Sequence, residues 1–532
     1  MKRTISIALV LALALAMAGL AQAATITVGS GSGCDFDTIQ AGINAANDAD
    51  AVLVAPGEYV ISEPVTFRGK AITVRSETGR DETTVRMGTP ADTDRGSVVV
   101  FENNETDASV LDGFTITGGR GSWVPSANAS GGGGIFFDAS SGTVRNCAIV
   151  QNTAENGGGV FAWSGASPTL TNSTISVNSA TGVTPQVAGY GGGLCCGMGC
   201  LMTLANCTVA ENSARMGAGG LWCGFNSSVT MTYCIVKGNL GGGVTCWENA
   251  SATMTYCTIA ENSADVGGGV FGGEKSFITM SHCVIISNTA YTGSGGMETW
   301  HQSSADVSNC VIARNTAFGL GGGGVNCSIQ GSATIVNSII WGNTAPKGRE
   351  IWVRNAGTLS ISYSNVAGGQ AEATIEGGTI NWGTGNIDAD PHFADPNNED
   401  YYLKSEAGRW DPNSQTWVQD VVTSPCIDAG DPDSDWRPEL WPHGMRANMG
   451  AYGGSLQASR SLSDAGNVAD LNRDGIVDSA DMCIIIDHWY TDEPQYDIAP
   501  MPFGDGIVDV KDLVLISEHL TPKEVDPNAV TP

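Results

Sequence analysis

The chain has 532 residues, 25 of them basic and 55 acidic, for a net charge of −30. That balance excludes nucleic acid and anionic membranes as partners, since both would repel it. Length does not count domains here, because the glycines and cysteines recur at a period and a solenoid grows without a limit on its core.

In chain order, residues 1–23 read as a secretory signal: Lys2 and Arg3, an apolar run over 5–20, then Ala21-Gln22-Ala23 as a small-x-small cleavage site, with cleavage before Ala24. No later stretch holds the roughly 18 apolar residues of a spanning helix. The mature chain is therefore expected to be secreted, extracellular or held at the cell surface, with no transmembrane segment. Asp37-Thr38-Ile39-Gln40 has a capping-box pattern, and Ile39, Ile43 and Ala46 follow at helical spacing. A short helix closing the N-terminal end of the solenoid is predicted, then strands over 71–75, 83–87, 97–101 and 109–117.

From Gly131 to Ala345 one phrase recurs eight times. A glycine cluster ends on an apolar residue: Ile135, Val160, Leu194, Leu221, Val244, Val270, Met297, Val325. Then comes Cys or Ser at 147, 173, 207, 234, 257, 283, 310 and 338, and five residues later an asparagine, from Asn152 to Asn343. Steps of 23 to 34 residues are the period of a solenoid. Apolar residues alternate with polar ones around each landmark, which is strand periodicity, and such short strands bury their apolar sides only by stacking coil on coil about 4.8 Å apart. The asparagines are expected to form a ladder, and Cys207, Cys234, Cys257, Cys283 and Cys310 a reduced column, because stacked parallel Cβ vectors do not suit disulfide geometry.

The glycine phrase with its trailing Asn-Thr-Ala, and the stretch from Thr38-Ile39-Gln40 to Pro56-Gly57-Glu58-Tyr59, resembles right-handed parallel β-helix proteins of the pectin-lyase-like superfamily over about residues 25 to 390. The resemblance implies an all-β fold, a right-handed parallel β-helix solenoid over 24–390. It implies no single activity, since the superfamily hosts lyases, hydrolases, adhesins and inert scaffolds. Outward positions of the first strand should stack into one face, where Trp163, Trp222, Trp247, Glu298 and Trp300 are candidates for binding extracellular polysaccharide. Glu248 and Glu274, one coil apart, are candidates for an acid/nucleophile pair, and Lys275 or His301 for the base of a β-elimination. The alternative is that these side chains merely keep a sheet face soluble. The Gly-His-Gly and Arg-x-Lys signatures of polygalacturonase-like hydrolases are absent from the sequence.

Residues 391–454 turn rich in Trp, Pro and Asp and, through Ser424-Pro425-Cys426-Ile427-Asp428 and Met449-Gly450-Ala451-Tyr452-Gly453, resemble a choice-of-anchor Q region, expected to cover the last coil. A linker spans 455–468 and a tail 522–532. Between them Asp470, Asn472, Asp474, Ile476 (through its carbonyl), Asp478 and Asp481 stand at the positions of a Ca²⁺ loop. A second half carries Asp505, Asp509 and Asp512, but Met501 and Phe503 fall where its first and third ligands belong, and Asp497 substitutes only if the loop is expanded. Two loop-helix halves over 469–521 resemble a type I dockerin, a small α-helical calcium-binding domain, which implies Ca²⁺ and a cohesin partner. Three readings stand: a tethered β-helix that binds or processes polysaccharide, a polysaccharide lyase or glycoside hydrolase, and a non-catalytic adhesin or structural protein.

Overall fold

The computed structural model describes residues 23–182, 189–463, 467–473, 476–501 and 504–521; the signal segment, the 522–532 tail and Asp474 lie outside them. The chain divides into two units, the first ending at Cys207 and the second starting at Thr208.

The first unit is a stack of coils whose strands line up in three parallel sheets. Sheet one takes Thr25–Val28, Ala51–Val54, Thr73–Ser76, Val110–Asp112, Thr143–Arg145, Thr169–Thr171 and Leu201–Ala205; sheet two runs from Gly57–Ile61 to Thr174–Ser176, and sheet three from Val65–Thr66 to Leu194–Cys196. Register is kept from coil to coil: Ile135 pairs with Val160 and Val160 with Leu194. Identical positions therefore stack inside, as in the column of Phe67, Phe101 and Phe137, with ring centroids 4.7 and 4.6 Å apart. The N-terminal helix, Ile39–Ala45, buries Ile39 and Ile43. Its cap is Thr38, whose hydroxyl accepts from Ala41 N, while Gln40, expected to close a capping box, instead bonds both backbone groups of Thr66. One excursion leaves the coils, a hairpin of Gly121–Val124 and Ala129–Gly131.

The second unit repeats the plan. Sheet one runs from Ser228–Thr232 to Thr379–Trp382, sheet two from Thr208–Ala210 to Asn365–Val366, and sheet three from Leu221–Gly224 to Thr374–Glu376. Asn212, Asn239, Asn262, Asn288, Asn315 and Asn343 form the expected ladder, each side-chain amide donating to the next asparagine's Oδ1 at 2.8–3.1 Å until Asn343 donates to Glu350. None of the fifteen cysteines is in a disulfide, and in the column Cys283 N donates to Cys310 Sγ.

The 391–454 region reaches the last strand of sheet two, where Asn365 Nδ2 donates to Cys426 Sγ at 3.0 Å. It turns back along the outer side of sheet two, packing Phe393, Tyr401, Leu403, Cys426 and Met449 on Val284, Ile286, Val311, Ala313 and Ile339. The reason lies in those strands, which are apolar on both faces and would otherwise leave the outer one in water. Polar contacts fix the clasp: Lys237 to Glu399 at 2.8 Å, Arg314 to the Pro396 carbonyl at 2.6 Å, Asn337 to Ser434 at 2.8 Å. Beyond it, helices Ser479–Asp487 and Val510–Glu518 each begin with a complete capping box. Among the described residues no helix is long and apolar enough to cross a membrane.

Candidate functional site

The outward face of sheet three is largely closed. In several coils the glycine turn that precedes the strand lies on the strand's first outward side chain: a Cβ on Gly267 would stand 2.6 Å from Phe271 Cβ, and one on Gly293 would stand 2.6 Å from Glu298 Oε2. The glycines are thus needed for close approach as well as for corners. Trp222 and Glu298 are buried, contrary to their expected role as an open binding surface. Trp163 is buried too, its Nε1 donating to Ser126 Oγ at 2.9 Å in the hairpin excursion. Glu298 accepts from Ser294 N (3.0 Å) and Asn326 Nδ2 (2.9 Å), with Arg354 3.9 Å away. Burial raises its pKa against the pull of Ser294 and Arg354.

The second outward position stays more open. Trp247 and Trp300 stack at 5.5 Å across Gly273, where a Cβ would come within 2.1 Å of the Trp247 ring. Glu248, Glu274 and His301 follow at the corner, brought into register by the pairing of Val244 with Val270 and of Val270 with Met297. Glu248 and His301 have left-handed backbones (φ 53° and 49°), as has Lys275 (56°), which is exposed and one position further on. The His301 ring leans on Trp300 at 5.0 Å. Glu248 and Glu274 stand one coil apart in register, on a corner of the coil and not on the strand.

A second place, unforeseen from the sequence, is a groove of about 500 Å³ in the second unit. Its floor is the residue before each Cys landmark, which lies in the left-handed region in every coil. Asn309 and Asn337 hold it at φ 48° and 51°, a conformation asparagine tolerates. Tyr233, Tyr256 and His282 occupy the same position at 52°, 53° and 54°, where a bulky side chain is disfavoured by about 1–2 kcal/mol. Their rings stack at 5.0 and 4.7 Å. Tyr233 is 57% exposed, and the far wall is built from Pro438, Tyr452 and the 454–457 segment. His282 Nε2 donates to the Gly453 carbonyl at 3.0 Å, fixing the tautomer, and burial lowers its pKa. Tyr402 stacks on Tyr452 at 3.6 Å and donates to Gln457 Oε1 at 2.5 Å. The result is a rigid aromatic strip opposite a polar lip. The signal for it was present in the sequence as aromatic residues where the repeat elsewhere has Asn.

For calcium, the two halves differ. Asp470, Asn472, Asp478 and the Ile476 carbonyl supply the hard oxygen donors a Ca²⁺ loop uses. Asp481 is fully buried, its oxygens accepting from the backbone of Leu471, Asn472 and Asp478, so it ties the loop to the helix. In the second half Lys511 pairs with Asp505 and lies 3.6 Å from Asp509, while Asp512 accepts from Ile498 N and Ala499 N. An ammonium lies among those carboxylates, and Asp497, not Met501, turns its carboxylate onto the loop, accepting from Asp505 N (3.1 Å) and Gly506 N (2.7 Å); Asp505, Asp509 and Asp512 stay an expectation for a second cation.

Stacked, in-register coils of three parallel sheets define a parallel β-helix protein. Residues 91–275 and 186–312 match the family described as right handed beta helix region, and residues 361–430 the family described as disaggregatase related. No curated protein matches. Among solved structures the chain is similar to pectate lyase Pel9A (15% identity, 84% of this chain and 98% of that one, TM-score 0.40). It is also similar to the catalytic unit of a GH87 alpha-1,3-glucanase from Streptomyces thermodiastaticus (11%, 66% and 65%, TM-score 0.32). These are likenesses of coil architecture, and no activity follows from them.

Proposed function

We propose that this protein binds extracellular polysaccharide in the groove between Tyr233, Tyr256, His282 and the 438–457 segment. The observation that carries the reading is the aromatic strip itself, kept at backbone positions where asparagine would be less strained. A flat, partly exposed ring edge beside amide and hydroxyl groups suits a sugar, whose ring has an apolar face and a polar rim. The corner with Glu248, Glu274 and His301 supports processing as a second reading, because it gathers two carboxylates beside the Trp247–Trp300 stack. The first calcium loop, 470–481, binds Ca²⁺, and the module it stabilises tethers the protein to a cohesin in the manner of a dockerin; the oxygen donor set and the paired capping boxes support this. The signal segment supports secretion.

The test is affinity electrophoresis against a panel of neutral and acidic polysaccharides, with the double variant Tyr233→Asn, Tyr256→Asn. Both changes restore the residue found at this position in other coils, so the fold is kept. Aromatic contacts contribute about 0.5–1.5 kcal/mol each beyond area, so the pair should weaken retention by about fivefold to a hundredfold. Equal retention of variant and parent removes the groove as the binding site.

A further inference from the structure

The groove beside Tyr233, Tyr256 and His282 is uncharged, in a chain of net charge −30. Among the described residues no lysine, arginine, aspartate or glutamate lines it; its polar groups are the Tyr233, Tyr256 and Tyr452 phenols, the Thr258 and Ser455 hydroxyls and the Gln457 amide. Lys237, on the strand that follows Tyr233, is neutralised by Glu399 at 2.8 Å and Glu261 at 3.4 Å. His282 adds no charge near neutral pH, because burial holds its pKa below the ordinary 6.5. An acidic polymer entering this groove gives up water around its carboxylates and meets no cation, in a protein whose net charge already repels it. A neutral one gives up only hydroxyl hydration, which phenols, hydroxyls and an amide replace.

The strip also has a fixed repeat. Ile235 is in register with Thr258, and Thr258 with Val284, so Tyr233, Tyr256 and His282 stand one to a coil. Their ring centroids step by 5.0 and 4.7 Å. That step is the spacing of parallel strands, about 4.8 Å, and the backbone sets it. An extended glycan of equatorially linked sugars advances by nearly the same length per unit, so successive sugars meet successive rings. A chain with axial linkages coils and loses phase. The groove's 500 Å³, within the usual range of about 300–1,000 Å³, holds a short run of sugars. On the reading of this groove as the glycan site, we infer that it selects a neutral, extended polysaccharide, one sugar to each ring of the strip.

Isothermal titration of the full chain at low, fixed ionic strength tests this with three probes that isolate charge and linkage: cellotriose, β-1,4-linked triglucuronate and maltotriose. Cellotriose should bind roughly tenfold more tightly than either of the others. Equal affinity for triglucuronate overturns the neutral class, and equal affinity for maltotriose overturns the one-sugar-per-ring repeat. Leu456→Lys, at a half-exposed wall position, should narrow the gap between cellotriose and triglucuronate, and an unchanged gap means that charge is not what rejects the acid. The Tyr233→Asn, Tyr256→Asn variant separates this selectivity from the site itself. If triglucuronate or maltotriose matches cellotriose in the parent and is lost in the variant, the groove remains the glycan site and only its selectivity is refuted. If cellotriose binds parent and variant alike, or none of the three binds, the groove is not the site.

Discussion

Replacing Asn262 by alanine probes the ladder where the structure leaves no alternative partner. The side chain is fully buried; its Oδ1 accepts from Asn239 N at 3.0 Å and Asn239 Nδ2 at 2.8 Å, and its Nδ2 donates to Val236 O and Asn288 Oδ1, each at 2.9 Å. Asn239 Nδ2 keeps a second acceptor in Val209 O, and Asn288 Oδ1 still receives Asn262 N. The Asn239 backbone N–H, however, is left buried and unsatisfied. That alone costs about 1–3 kcal/mol, and the lost amide bonds add about 1 kcal/mol more, for a total of roughly 2–4 kcal/mol. Hydrogen exchange at the Asn239 amide is the assay: protection should fall by about one and a half to three decades, at 1.4 kcal/mol per decade. Thr253→Ala, on the exposed side of the same coil, is the control. If Asn262→Ala and Thr253→Ala change protection equally, the asparagine stack contributes nothing to stability and the reasoning fails.

Gly273→Ala places a methyl against Trp247, which must leave Trp300; overpacking of this kind costs about 1–3 kcal/mol, and near-ultraviolet circular dichroism should lose the coupled indole signal, whereas an unchanged spectrum means the two rings do not stack. Glu350, at the end of the ladder, is pushed by burial up to about 7 from the ordinary 4.5. The folded chain then keeps a proton that the unfolded chain has lost, so stability is greatest below about pH 4.5 and declines as pH rises toward 7. Denaturant midpoints across that window should show the decline, and Glu350→Gln should flatten it; parallel curves for the two proteins would count against it. Chelating calcium should melt helix Ser479–Asp487 and leave the β-sheet dichroism intact, with a stability loss of about 2.7 kcal/mol for that module if free calcium had been a hundredfold above Kd. Asp470→Ala should reproduce the effect without chelator, and indifference of the module to both treatments would refute a bound cation.

The repeat made the solenoid readable in advance because each landmark has one job in every coil: Val244, Val270, Met297 and Val325 point inward and meet in register, and the asparagines bond their own kind. Alternation says which side of a strand faces out of the coil, but not what is laid over that side. Trp222 and Glu298 were misread for this reason: the glycine turns recur with the repeat, but their spacing does not say that a turn folds back over an outward side chain, as Gly293 does over Glu298. Val284, Ile286, Val311 and Ala313 could have been recognised as strands with two apolar faces, and thus as a seat for another segment. The clasp that fills the seat has no periodicity, so its path could not be foreseen. The tyrosines of the groove stood out only as breaks in an asparagine series, and a break becomes informative once the position is known to be left-handed.

The clasp also works as a ruler. Its contacts with Lys237, Arg314 and Asn337 are spaced along the stack by a whole number of rungs. Gaining or losing one coil between Lys237 and Asn337 would throw the later contacts out of phase by nearly 5 Å, too far for any of those side chains to re-engage. Solenoids ordinarily lengthen by duplicating a unit; here that freedom is withdrawn from the stretch under the clasp.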